Sequence, residues 1–353
     1  MTDEQRAGSN AEEKLREVHE RLARAVEELT SGDEWRRALE FAARFRTRSF
    51  GNCLLIWAQH SAAYEQGLVP EPLPTFVAGF RQWQQLGHQV LKGQRGYAIL
   101  APITGNFATK TPNDPMSWRR LRRGERPGAG EVVRSRLIGV KPAHVWDISQ
   151  TSGPPAPRRQ LPELLKGEAP DGLWNELARL VESDGFTLSS VADSTEIGGA
   201  NGRTDFLART VVVRADMDAA ARVRTLTHEL AHIRLHGPDH EAISHRGIGE
   251  VEAESVALMV GAAHGMDTSI YTIPYVASWA STVNGKTVAE VVQDTGERVR
   301  RAAVEILDAL TTTKADLGHP SVQLERGAPD AHFRRPADRP VGREAAGRPT
   351  WSR

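Results

Sequence analysis

At 353 residues the chain is too long for one ordinary domain, and at about 100–200 residues per domain it has room for two, each able to bury a core. Lys plus Arg and Asp plus Glu number 45 each, which excludes a strong overall field for nucleic acid or an anionic membrane and makes any basic surface a local one. A single cysteine, Cys53, excludes an intramolecular disulfide framework and a cysteine-cluster metal site, and fits a reducing compartment.

The first residues, MTDEQRAGSNAEEKLREVHERLARAVEEL, are charged and helix-patterned, without the basic start and apolar core of a signal peptide. No run approaches the roughly 18 continuous apolar residues of a membrane span. A soluble, cytoplasmic protein with no membrane partner is expected. Leu15, Val18, Leu22, Val26 and Leu29 recur at three or four, the spacing of one helical stripe. A second helix is predicted over residues 34–45, after the Ser31-Gly32-Asp33 break. SFGNCLLIWAQ predicts a third, with Ser49 or Asn52 as its polar start and Cys53 as a buried, inert thiol. Beyond Pro70, Pro72 and Pro74, LGHQVLKGQRGYAILAPI reads as short strands separated by Gly87, Gly93 and Gly96. Residues 104–130 are rich in Pro, Gly, Asn and Arg and read as a loop or a disordered insertion. From Lys110 to Arg136 there are eight Lys or Arg against three acids. RLIGVKPAHVWDIS predicts a strand, and TSGPPAPRRQLP suits an exposed linker.

Further on come a helix over residues 171–182, a Gly-rich loop IGGANGRTD, and a Val-rich strand in ARTVVVRAD. The loop lacks the Gly-Lys-Ser/Thr ending of a phosphate loop, so it reads as turn chemistry. Helices follow at ARVRTLTHELAHIRLH, ended by Gly237-Pro238, at GEVEAESVALMVGAAHG, and over residues 287–310. The expected fold class is α+β: a small N-terminal domain (1–150), a linker (151–165), a second domain (166–313) and a disordered tail (314–353).

HELAH matches H-E-x-x-H, which projects His228 and His232 from one helix face on successive turns. Both imidazoles can then reach one zinc ion, with Glu229 placed to take a proton from metal-bound water. Val223, Leu226, Leu230 and Ile233 form a separate apolar stripe, and a peptide substrate can add alongside the edge of the preceding strand. Catalytic zinc generally has three protein ligands. Glu250 is the expected third, with Glu254 one turn on as a second carboxylate holding a ligand histidine; Ala253 and Ala257 let the two helices approach. His236 lies roughly 12 Å along the helix from His228, too far to share the metal, and reads as a helix-end histidine. His240 and His245 stay open as ligands. Tyr271, Tyr275 or His264 are open as donors to an oxyanion.

HELAH followed by EVEAES resembles the ImmA/IrrE metallopeptidases. SFGNCLLIWAQ followed by FVAGFRQWQQLGHQVLKGQRGYAILAPI resembles the N-terminal single-stranded-DNA-binding domain of ArdC-type antirestriction proteins, which join the same two modules in the same order. The resemblance covers roughly residues 10–145 and 170–285. It implies zinc at His228, His232 and Glu250, Glu229 as catalytic base, a zincin-like second domain, and a first domain that binds single-stranded DNA. The long basic insertion and the acid pair Glu252 and Glu254 depart from the family pattern.

Cations along a groove and aromatic faces for bases suit single-strand binding. The residues expected to carry it are Arg46, Arg48, Phe50, Asn52, Arg81, Trp83, Lys92 and Arg95. The expectation is therefore a zinc metallopeptidase coupled to single-stranded DNA, with an unknown protein substrate. The alternative is a non-enzymatic DNA-protecting protein in which zinc only holds the second domain together.

Overall fold

The computed structural model describes residues 3–29, 31–155, 167–236, 246–271, 273–274, 276–281, 283 and 285–311. Helix α1 (Asp3–Glu27) forms on the expected stripe, burying Val18, Leu22 and Val26, with Leu29 buried just beyond it. Helix α2 (Gly32–Arg44) begins two residues before the predicted start because Ser31 caps it. The Ser31 hydroxyl accepts the Glu34 N–H and the Glu34 carboxylate accepts the Ser31 N–H, satisfying donors the first turn leaves open.

Helix α3 (Phe50–Glu65) is capped by Ser49, whose hydroxyl accepts the Asn52 N–H. The Asn52 side chain instead clamps strand β3 (Tyr97–Thr109), donating to the Leu100 carbonyl and accepting its N–H at 2.9 Å each. Gln59 does the same to Ala98, so two amides stitch this helix to the strand.

Strand β1 (Val77–Gly79), helix α4 (Phe80–Gln85) and strand β2 (Gln89–Val90) precede β3, and β4 (Arg119–Arg120), β5 (Val132–Asp147) and β6 (Thr151–Ser152) follow it. The sheet order is β1-β5-β3-β4, every pair antiparallel, while β2 and β6 form a separate antiparallel pair. The structure corrects the loop expected over 104–130. The β3–β5 ladder runs unbroken in direction from Tyr97↔Val145 to Thr109↔Val132, with one bulge at Ile103/Thr104. Beyond that bulge Ala108 and Thr109 are buried but Val132, Val133 and Leu137 stay exposed, so no continuous buried face imposes an alternating apolar pattern. Backbone hydrogen bonds hold such a ladder whatever the side chains are. The first two residues of the expected linker belong to β6; residues 156–166 and the tail from 312 lie outside the described residues.

The second segment holds α5 (Leu173–Ser183), β7 (Thr187–Val191), β8 (Gly202–Asp205), β9 (Thr210–Arg214), α6 (Ala219–Leu235), α7 (Arg246–Ala263), α8 (Val276–Ala280) and α9 (Val288–Ala309). The Val-rich strand β9 is central, not an edge, with β7 parallel on one side and β8 antiparallel on the other. Its Val211 and Val213 are fully buried. The edges are β7 and β8, the latter from the stretch read as turn chemistry alone.

One apolar cluster runs from Val18 to Leu310 and draws on both segments. The Trp35 indole of α2 donates to Ser255 Oγ of α7 at 2.9 Å and packs 5.4 Å from Phe50 and 5.5 Å from Trp279. No helix among the described residues is long and apolar enough to cross a membrane.

Candidate metal centre

Helix α6 starts at Asp218, whose carboxylate accepts the Ala221 N–H at 2.7 Å. Its Val223, Leu226 and Leu230 face the core, which leaves His228 and His232 on another face. Ala253 and Ala257 of α7 are buried, so α7 packs close and carries Glu250 over the histidines. His228 Nε2 and His232 Nε2 are 3.0 Å apart. Glu250 Oε2 is 3.3 Å from the first nitrogen, and Oε1 is 3.6 Å from the second. Two imidazole nitrogens so placed require a proton or a cation between them. Tetrahedral zinc with ligands at about 2.0–2.2 Å spaces its donors by about 3.3 Å, which this donor set matches in type and separation. Among the described residues these three alone group as candidate metal ligands.

The surroundings fix which ring nitrogens face inward. Glu254 Oε2 lies 3.3 Å from His228 Nδ1, and its other oxygen accepts from Arg224 at 2.5 Å. His232 Nδ1 lies 2.9 Å from His236 Nδ1, and His236 Nε2 lies 2.9 Å from Glu252 Oε2. Arg298 of α9 donates to Glu252 Oε1 at 2.7 Å. Each histidine is thus backed by a carboxylate that an arginine neutralises, one directly and one through a second imidazole. The acid pair Glu252 and Glu254 has a place in these two chains. His236 is the C-cap of α6 and does not join the three-donor group, but its ring orients His232. That role escaped the sequence reading because Glu252 and Arg298 come from different helices; the spacing of four from His232 was the available signal.

Burial works against a charged His228, but hydrogen bonds to Glu250 and Glu254 outweigh it and raise its pKa to about 9. The same contacts from His228 and His232 hold the Glu250 carboxyl well below the usual carboxylate range. Glu229 is buried, and its Oε2 accepts from Thr204 Oγ1 of β8 at 2.6 Å. Gly202 permits that approach, since a Cβ there would lie 2.8 Å from Glu229 Oε1 and 2.7 Å from Thr225 Cγ2. Tyr271 donates its hydroxyl to the Ala257 carbonyl at 3.0 Å and is buried, while His264 Nδ1 meets the Val260 carbonyl at 2.8 Å. Tyr275, His240 and His245 lie outside the described residues.

The residues expected to contact DNA divide. Arg81, Lys92 and Arg95 are exposed. Arg48 donates to the Val77 carbonyl at 2.8 Å, and Arg46 lies 3.6 Å from Asp308 with most of its side chain covered. Phe50, Asn52 and Trp83 are corrected outright. Phe50 is fully buried against Trp35, Asn52 clamps β3, and the Trp83 indole donates to the Trp146 carbonyl inside a small second cluster. Apolar rings that complete a core offer no face to a base.

Residues 12–136 match the family described as the N-terminal domain of anti-restriction factor ArdC. An uncharacterised protein of Bacillus anthracis is 26% identical over 268 residues, covering 71% of this chain and 43% of that protein. This chain therefore spans less than half the length of that relative. Two crystal structures of antirestriction ArdC protein from the R388 plasmid are similar at 17% identity. The metal-free one covers 76% of this chain and 86% of its own with a TM-score of 0.43. The Mn(II)-bound one covers 74% and 88% with a TM-score of 0.40. Residues 12–136 are thus the part of this chain that is similar to the N-terminal domain of ArdC.

Proposed function

We propose that this protein is a zinc-dependent peptidase coupled to single-stranded DNA, acting in an ArdC-like antirestriction role. The observation that carries the reading is the convergence of His228, His232 and Glu250 beside Glu229. When bound there, zinc supplies Lewis acidity to a water and to the scissile carbonyl. The chain's own residues do the rest. Glu229 accepts a proton from the attacking water and passes it to the leaving amine. The β8 edge, free of a strand partner on its outer side within the three-stranded sheet, offers backbone groups to an extended peptide next to Glu229. The match of residues 12–136 to the ArdC N-terminal domain supports a DNA partner.

A second reading, zinc as a structural ion in a DNA-protecting protein, is favoured by the hydrogen bond that ties Glu229 to Thr204. Glu229→Gln separates the two, because the amide keeps size and leaves the ligands alone but cannot take the proton. Zinc content and DNA binding should survive in this variant. Cleavage of the protein itself or of DNA-associated proteins, followed by mass spectrometry with and without single-stranded DNA, should fall by several powers of ten. Cleavage by neither wild type nor variant, with DNA protection intact in both, would leave the structural reading standing.

A further inference from the structure

The half of the β3–β5 ladder beyond the bulge, with β4, makes a three-stranded arm whose two faces differ in charge. Phe107 pairs with Arg120 on one side and Arg134 on the other, and Gly105 pairs with Arg136. Directly paired residues share a face, as do residues two apart, so Phe107, Arg120, Arg134 and Arg136 line one face together. Trp118, two residues before Arg120, packs on that same side. The Arg134 and Arg136 guanidiniums lie 5.1 and 4.7 Å from its ring, and Arg136 lies 5.5 Å from the Phe107 ring.

The acids of the arm are spent elsewhere. Arg119, paired with Ala108 on the opposite face, takes both Glu125 at 2.5 Å and Glu131 at 2.8 Å. Asp114 accepts the Met116 N–H. Among the described residues no acid forms an ion pair with Arg120, Arg134 or Arg136. Ring contacts hold the last two in place without neutralising them. In a chain whose charges balance overall at 45 against 45, this is a cationic face with two half-exposed aromatic rings.

We propose that this face is where single-stranded DNA binds, with Arg120, Arg134 and Arg136 on phosphates and Trp118 and Phe107 against bases. The proposal rests on the DNA-binding reading above and assigns its location. A single strand is the occupant the chemistry selects, since cations tracking a backbone and rings that receive bases are what unpaired nucleotides require. A duplex keeps its base faces stacked and leaves the rings unused. Phe50 and Trp83, two of the aromatic groups that the sequence offered instead, are buried.

The test uses the full chain and a fluorescein-labelled oligothymidine, read by anisotropy across salt concentrations. Arg134→Gln with Arg136→Gln should weaken binding at least about tenfold and flatten the dependence of log affinity on log salt by about 1.4, two phosphate contacts at roughly 0.7 each. Trp118→Ala should weaken binding by about tenfold while changing the salt slope little. Unchanged circular dichroism and Tm establish that the variants are folded. Excess unlabelled duplex should displace the strand poorly; displacement by duplex as effective as by single strand would overturn the assignment. If wild type binds and both arm variants bind equally well, while Arg81→Gln with Lys92→Gln and Arg95→Gln loses affinity, the location is wrong and the DNA reading stands. If wild type does not bind the strand at low salt, both fall.

Discussion

His228 is held charged by its neighbours in the site. In the metal-free protein its pKa rises from 6.5 to about 9, burial opposing and the Glu250 and Glu254 carboxylates driving the change. A pKa raised on folding stabilises the fold fully below the unfolded value of 6.5, and that contribution is lost as pH climbs through about 9. A metal-ligating imidazole must be neutral, so on the proposed reading zinc would have to expel this proton, and its affinity should strengthen with pH up to about 9. Chelated protein should therefore lose Tm between about pH 6.5 and 10 while the zinc Kd, measured with a competing chelator, tightens over the same window. A Kd independent of pH there would mean that His228 is already neutral. Glu250 is the other half of this interaction, so its lowered pKa adds no second contribution in that window.

At the scale of elements, the contact between α3 and α9 is decided by one atom position. A Cβ on Gly296 would sit 2.3 Å from the Phe50 ring, so these helices cross as they do only with glycine there. Gly296→Ala should destabilise the protein by about 1–3 kcal/mol through overpacking. Phe50→Ala, at the same contact, should cost about 3–5 kcal/mol by leaving a cavity. Urea unfolding measures both. Neither variant should change the affinity of the folded protein for single-stranded DNA, since Phe50 is buried; a DNA defect in Phe50→Ala at unchanged stability would restore the residue to the nucleic-acid surface.

For the whole molecule, the consequence is cooperativity. Trp35 is held by Ser255 and Trp279, and the Phe50 N–H is accepted by Glu297 at 2.9 Å, so the first three helices rely on α7, α8 and α9 for much of their cover. Unfolding of the zinc-loaded chain should follow one transition whether read by tryptophan fluorescence or by far-UV circular dichroism. A fragment ending at residue 155 should lose that sharp transition and bind a hydrophobic dye, because Trp35 and Phe50 would face water. A fragment that melts cooperatively without dye binding would instead establish that the ArdC-type domain is stable by itself.

The helices and the histidine pair of the candidate metal centre were readable from local pattern. A period of three or four locates α1 and α6 whatever packs against them, and a spacing of four puts His228 and His232 on one face by helix geometry alone. Ser31 and Ser49 are read the same way, as caps that act within three residues. What spacing along the chain cannot encode is which residues meet across it. The far half of the β3–β5 arm read as a loop because it buries little beyond Ala108 and Thr109 and carries no apolar alternation. The Val-rich strand is legible as a strand, but its central place depends on β8 coming from a glycine-rich stretch that local pattern assigns to a turn. An aromatic residue near arginines reads alike in a core or on a nucleic-acid surface. Only packing decided that Phe50 and Trp83 are covered while Trp118 lies under two unneutralised guanidiniums, since burial is a property of the assembled neighbours and not of the residue.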